Sequence, residues 1–112
     1  MTDPSSDLRL FIVNTAAQTR LEVGGELDLA TVGPLRDQLD ALIDDGIGAV
    51  HVDMSLVTFC DSTTLSVLVG AFTRLREAQR PLRVINPSTS VVRVLQLSGL
   101  DTLLLDGDQP AG

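Results

Sequence analysis

The sequence predicts an α/β fold: one domain with a mixed sheet of four to five strands. Segments with strand-like and helix-like apolar periods follow one another in the order β-β-α-β-α-β-α, with an ambiguous last segment. The two opening strands are joined by a short polar connection, which predicts an antiparallel hairpin. The strand–helix–strand repeats after it predict parallel pairing with right-handed crossovers. A length of 112 residues fits a single domain.

The first half of the chain supplies two strands and a helix. Residues 8–13 form a mostly apolar strand, and the polar residues 14–18 connect it to a second strand over residues 19–27. A helical period begins after Thr31. Its apolar positions share one face, with a proline near the start and a glycine beyond the end: Val32, Leu35, Leu39, Leu42, Ile43, Pro34 and Gly46.

The second half alternates strands with helices. Residues 49–54 predict a strand, and residues 55–61 are interpreted as its connection to a second helix. That helix has an apolar stripe and a charged end, after which a proline prevents continuation: Leu65, Leu68, Val69, Phe72, Leu75 and Pro81. Residues 82–85 predict a strand, a third helix ends before Gly99, and residues 100–105 are a short strand or helix.

The domain is predicted to span residues 7–105, and composition limits what it does. Residues 1–6 and 106–112 are rich in Asp, Ser, Pro and Gly and are expected to be flexible tails. A net charge of −7 and the absence of Trp and Tyr argue against nucleic-acid binding, which needs basic and stacking side chains. No apolar run approaches the ~20 residues of a membrane span, and the N-terminus lacks signal-peptide features. With a single cysteine as well, we expect a cytoplasmic protein.

Motifs for catalysis are missing. The sequence has no Cys/His cluster for zinc, no phosphate-binding loop and no G-x-G-x-x-G. The sole histidine, His51, lies within a predicted strand, where a structural role is the favoured interpretation. We therefore expect neither an enzyme nor a bound metal or cofactor.

Four small polar residues stand between a strand exit and the second helix. Asp61, Ser62, Thr63 and Thr64 can cap the free N–H groups of the first helical turn, although one cap residue would suffice. A hydroxyl here also suits phosphorylation, because a helix N-terminus tolerates negative charge. The preceding Cys60 is interpreted as a small buried apolar residue, with a redox-sensitive thiol as the alternative.

A second notable segment, residues 24–31, reads Gly-Gly-Glu-Leu-Asp-Leu-Ala-Thr. A strand end, a turn and an N-cap at Thr31 account for part of it. They do not explain why the acidic residues Glu26 and Asp28 flank Leu27.

The order Gly25-Glu26-Leu27-Asp28, a helix, and then Phe59-Cys60-Asp61-Ser62-Thr63 resembles the STAS domain of bacterial anti-sigma factor antagonists over roughly residues 8 to 105. The resemblance implies a mixed sheet with helices packed mainly on one face. It also implies a stress-response regulator that binds an anti-sigma factor of the serine-kinase type and so frees a sigma factor. Phosphorylation by that kinase would fall on Ser62, or less favourably on Thr63, and a phosphatase would reverse it. The implied partner-binding residues are Asp28, Thr31, Asp61, Ser62, Thr63 and Thr64.

Two alternatives remain open, and a third, a small hydrolase, fails. The family motif continues D-S-[ST]-G-L-G, whereas this chain has Thr64 and Ser66 in place of the glycines, and we expect their side chains to hinder a kinase. This favours a STAS module that is not phosphorylated and serves as a scaffold or transporter accessory subunit. A response-regulator receiver would use Asp53, but the chain has no lysine and no acidic pair after its first strand. A small hydrolase lacks a nucleophile–base pair.

Overall fold

The computed structural model describes residues 8–15, 18–46 and 48–105. Both predicted tails, residues 1–6 and 106–112, lie outside these ranges. The elements are β1 (Leu8–Asn14), β2 (Gln18–Leu27), α1 (Gly33–Asp45), β3 (Ala49–Cys60), α2 (Ser62–Glu77), β4 (Leu82–Ile85), α3 (Thr89–Ser98) and α4 (Asp101–Leu104). The ambiguous last segment is therefore helical.

The sheet is mixed, as predicted, and has four strands in the described residues. Its strand order is β1-β2-β3-β4. β1 pairs antiparallel with β2, whereas β2–β3 and β3–β4 are parallel. Parallel neighbours place the carboxyl ends of β2 and β3 at the same edge of the sheet, which is where the polar motifs begin.

The core lies between one face of the sheet and the helices. Buried side chains alternate along the strands and join one cluster with those of the helices: Leu21, Val23, Val50, Val52, Met54, Leu82 and Val84 from the sheet, and Leu35, Leu39, Leu68, Leu75, Val91 and Leu95 from the helices. Positions between the buried ones, such as Arg20, Glu22 and His51, are only half-buried. Helices thus pack mainly on one face, as the resemblance implied.

The predicted connection over residues 55–61 is wrong, because β3 continues to Cys60. Its buried positions change from a spacing of two to a spacing of three at Met54, Val57 and Cys60. The register against β2 shifts twice in this stretch, so β3 carries extra residues relative to its partner. Such bulges keep the strand paired but interrupt the alternation of buried and exposed residues from which a strand is predicted.

Helix α1 begins differently from the prediction but ends as predicted, just before Gly46. Its N-cap is Val32, without a side-chain hydrogen bond, so the N-cap predicted at Thr31 is wrong. At its other end, Arg80 donates from Nη1 to the carbonyls of Leu42 (3.0 Å) and Ile43 (3.2 Å) and from Nε to Gly48 (2.9 Å). The Leu42 carbonyl also accepts from the Gly46 N–H (3.0 Å), the Ile43 carbonyl belongs to the last turn of α1, and Gly48 lies beyond the helix. A distant arginine therefore fixes the end of α1 beside the sheet.

Candidate functional site

The site lies where β2 and β3 end side by side. Leu27 and Cys60, the last residues of the two strands, are register partners. β2 leads into a turn over residues 28–31, and β3 leads directly through Asp61 into α2. The carboxyl edge of parallel strands is where α/β folds commonly place binding residues.

The turn after β2 is held by its own polar side chains. Asp28 accepts hydrogen bonds at Oδ1 from the backbone N–H groups of Ala30 (2.9 Å) and Thr31 (3.1 Å). The Thr31 hydroxyl donates to the Glu26 carbonyl (2.7 Å) and accepts from the Asp28 N–H (3.0 Å). Thr31 thus closes the turn instead of capping the helix, and these contacts fix the shape of the surface that the turn presents.

Asp61 caps α2, as the sequence indicated. Its Oδ1 accepts from the N–H groups of Thr63 (3.0 Å) and Thr64 (3.3 Å). Ser62 follows as an exposed residue, and no described residue hydrogen-bonds to its hydroxyl. Thr63 is half-buried. The cap therefore uses the carboxylate and leaves the Ser62 hydroxyl free to react or to bind.

Thr64 is inside the protein, so the prediction that it contacts a partner is wrong. Its side chain is 0% exposed, and its hydroxyl donates to the Leu27 carbonyl at 3.2 Å. The Thr64 side chain points into the core and does not project onto the surface beside Ser62. Of the two positions that replace the family glycines, only Ser66 is exposed.

Cys60 is a packed core residue. Its side chain is 3% exposed, and burial together with the nearby charge of Asp61 raises the pKa of its thiol to about 11. A thiol that is buried and scarcely ionised reacts slowly. These observations favour the packing interpretation over the redox-sensitive one.

A groove of about 540 Å³ runs between α1 and α2 beside the helix start. Ser62, Thr63 and Ser66 line its α2 side, and Arg36 lines its α1 side. No sequence motif singles out Arg36, because only the packing of the two helices brings it to the groove.

Two exposed apolar side chains flank the site and were also missed. Leu29, in the turn after β2, is 77% exposed, and Phe59, near the end of β3, is 49% exposed. The sequence offered a signal for both contacts, because Leu29 and Phe59 are large apolar residues within the two polar motifs. Large apolar residues left in water beside such motifs are typical of contact surfaces.

The remaining expectations concern His51, metals and membranes. His51 lies half-buried on the sheet face away from the helices, and burial and the Arg83 charge lower its pKa. Within the described residues, no group of three or more metal-ligating side chains is found. Among the helices of this part of the chain, none is long and apolar enough to cross a membrane.

Comparison with known proteins places this geometry in a family. Residues 11–106 match the family model described as "Mlab, STAS domain". The anti-sigma-B factor antagonist of Staphylococcus aureus (strain NCTC 8325 / PS 47) is 32% identical over 84 residues, which cover 75% of this chain and 78% of that protein.

Solved structures show the same fold. An anti-sigma factor antagonist from Mycobacterium paratuberculosis superposes with a TM-score of 0.82 at 23% identity, covering 93% of this chain and 87% of the other. The Bacillus anti-sigma factor antagonist SpoIIAA in its unphosphorylated form superposes with a TM-score of 0.74 at 24% identity, covering 88% of this chain and 86% of the other. Its phosphorylated form superposes with a TM-score of 0.68 at 24% identity, covering 88% of this chain and 89% of the other. The match over residues 11–106 and the 32% identity to the Staphylococcus aureus antagonist show that the chain belongs to the STAS domain family.

Proposed function

We propose that this protein is a cytoplasmic anti-sigma factor antagonist and that phosphorylation of Ser62 switches it off. In its unmodified form it binds an anti-sigma factor of the serine-kinase type and so frees a sigma factor, without catalysing a reaction itself. The observation that carries the proposal is the exposed Ser62 hydroxyl, which no described residue hydrogen-bonds, at the start of a helix capped by its neighbour. The similarity to curated antagonists supports the same role.

Phosphorylation at this position is compatible with the fold. A phosphate adds about −1.5 to −2 charges at pH 7. The first N–H groups of α2 and its dipole favour negative charge, so the helix does not need to unfold. A protein of the same fold, SpoIIAA, has been solved in a phosphorylated form. Thr63 is the less suitable acceptor because its side chain is half-buried.

The added charge would act on the partner rather than on the fold. Ser62 follows the Asp61 carboxylate and lies at the sheet edge that carries the Asp28 turn. A partner surface that fits a neutral hydroxyl would meet repulsion and would have to desolvate the phosphate. A tenfold loss of affinity requires only about 1.4 kcal/mol.

We infer a contact surface made of the turn after β2 and the start of α2. It includes Asp28, Thr31, Asp61, Ser62 and Thr63, and the structure adds Leu29. An exposed leucine gains about 1.5–3 kcal/mol when a partner covers it, which makes Leu29 the expected apolar anchor. Asp28 and Thr31 contribute mainly by fixing the turn that presents it.

A second candidate is a STAS module that is not phosphorylated and serves as a scaffold or transporter accessory subunit. One observation favours it: Ser66 presents a side chain beside Ser62 where the family motif has glycine. The receiver alternative no longer stands, because the match covers most of the chain.

The test is a pull-down from native lysate of the source cells, with partners identified by mass spectrometry. Wild type and Ser62→Ala are expected to retain a kinase-type anti-sigma factor, and Ser62→Glu is expected to lose it. Thr73→Glu is the matched control, since it adds the same charge at an exposed position on the same helix and should bind like wild type. Equal capture by all variants would refute the Ser62 switch, and a transporter ATPase as the partner would favour the second candidate. A phosphatase that dephosphorylates the Ser62 phosphate would complete the cycle.

A further inference from the structure

Two arginines line the groove between α1 and α2, and they differ in their partners. The Arg74 guanidinium lies 2.8 Å from Asp40 and 3.9 Å from Asp44, so carboxylates of α1 already neutralise it. Arg36 is exposed and forms no ion pair with any described side chain. Arg36 therefore has its hydrogen-bond donors available on the groove side that faces Ser62 and Ser66.

The charges around Ser62 are unequal on its two sides. The Asp61 carboxylate precedes it, and the Asp28 turn lies at the same sheet edge, tied to α2 by the hydrogen bond from Thr64 to the Leu27 carbonyl. The groove side carries Arg36, and Asp40, the carboxylate that also lines the groove, is paired with Arg74. A doubly charged group on Ser62 is thus repelled from the strand edge and attracted toward the groove.

From this arrangement we propose that Arg36 is the intramolecular counter-charge of phosphorylated Ser62 and holds the phosphate in the α1–α2 groove. The proposal rests on Ser62 being the modified residue. Guanidinium groups suit this task, because their planar N–H groups match phosphate oxygens. Arg36 would thereby offset the effect of the neighbouring carboxylates and keep the phosphate in its dianionic form near neutral pH.

The experiment uses the full chain with phosphoserine installed at position 62 by genetic encoding, so no kinase is required. The phosphate is titrated by ³¹P NMR in three backgrounds: wild type, Arg36→Gln and Arg74→Gln. A cation in direct contact with the phosphate, about 4 Å from its charge, contributes about 1 kcal/mol in water and lowers the phosphate pKa by about 0.7 unit. We expect Arg36→Gln to raise the phosphate pKa by about that amount, and Arg74→Gln to raise it by less than half as much.

The paired Arg74 is the matched control, because it lines the same groove. No change with Arg36→Gln, or an equal change with both variants, would overturn the proposal. Urea unfolding of the unphosphorylated variants checks their integrity, and Arg36→Gln is expected to unfold like wild type because the side chain is exposed. A phosphate pKa that depends on Arg36 in a protein that still binds its partner would uphold this inference and contradict only the switch.

Discussion

Replacing Thr64 by valine tests how the site is built. The change keeps the shape of the side chain and removes only the hydroxyl that donates to the Leu27 carbonyl at 3.2 Å. That hydrogen bond joins the first turn of α2 to the end of β2, 37 residues away along the chain, in a position that is 0% exposed. We expect the variant to fold and to be less stable.

The expected loss follows from the hydrogen bond and its burial. A neutral hydrogen bond contributes about 0.5–1.5 kcal/mol net, and leaving a buried acceptor without this donor raises the cost toward 2 kcal/mol. A loss of about 1.5 kcal/mol lowers the urea midpoint by about 1 M if the slope is near 1.5 kcal/mol per molar. The measurement is equilibrium urea unfolding followed by circular dichroism, with the slope unchanged.

Thr63→Val is the matched control. It removes the neighbouring hydroxyl from the same helical turn, where the side chain is only half-buried and no described residue hydrogen-bonds to its Oγ1. We expect its stability to lie within about 0.5 kcal/mol of wild type. A Thr64→Val protein as stable as wild type, or an equal loss in both variants, would refute the role assigned to the buried hydroxyl.

Three further predictions concern stability and reactivity. Arg80→Lys should lower the free energy of unfolding by about 1–2 kcal/mol, because an ammonium cannot reproduce the guanidinium's hydrogen bonds to the carbonyls of Leu42, Ile43 and Gly48. Thermal unfolding tests this prediction, and an unchanged midpoint would contradict it. With a pKa of about 11, only about a thousandth of the Cys60 thiol is ionised at pH 8. Iodoacetamide should therefore label Cys60 slowly in the native protein and rapidly in urea. Fast labelling of the native protein would support the redox-sensitive interpretation instead. The folded state lowers the pKa of His51, so the unfolded state binds more protons, and the protein becomes less stable as the pH drops from about 6.5 through the folded-state pKa. His51→Gln should reduce this loss of stability, measured by urea unfolding at a series of pH values. An identical pH profile for the variant would count against the prediction.

The sequence predicted the order of elements because most of them keep a regular period. The cap at Asp61 and the left-handed helix end at Gly99 (φ 76°) were also predictable, since each follows from one residue's own chemistry. The end of β3 was not, because its bulges replace alternation by a spacing of three. The burial of Thr64 was concealed in a different way: it continues the helical stripe of Leu68 and Leu75, but its polar type suggested a surface position.

The candidate site was predictable only in part. Ser62, Asp61 and Asp28 come from local motifs and from the family resemblance, and the structure places their segments at one sheet edge. Arg36 carries no local signal of function, whereas Leu29 lies within a polar motif but its exposure does not follow from the sequence. Their importance depends on how α1 packs beside α2 and on how the turn presents its side chains, which are tertiary properties.

The central claim is most directly tested by isothermal titration of the purified chain against the anti-sigma factor recovered in the pull-down. The chain is prepared with either unmodified serine or phosphoserine at position 62. We expect tight binding of the unmodified chain and an affinity at least about tenfold weaker for the phosphorylated one, which corresponds to about 1.4 kcal/mol. Equal affinities of the two forms would contradict the switch at Ser62.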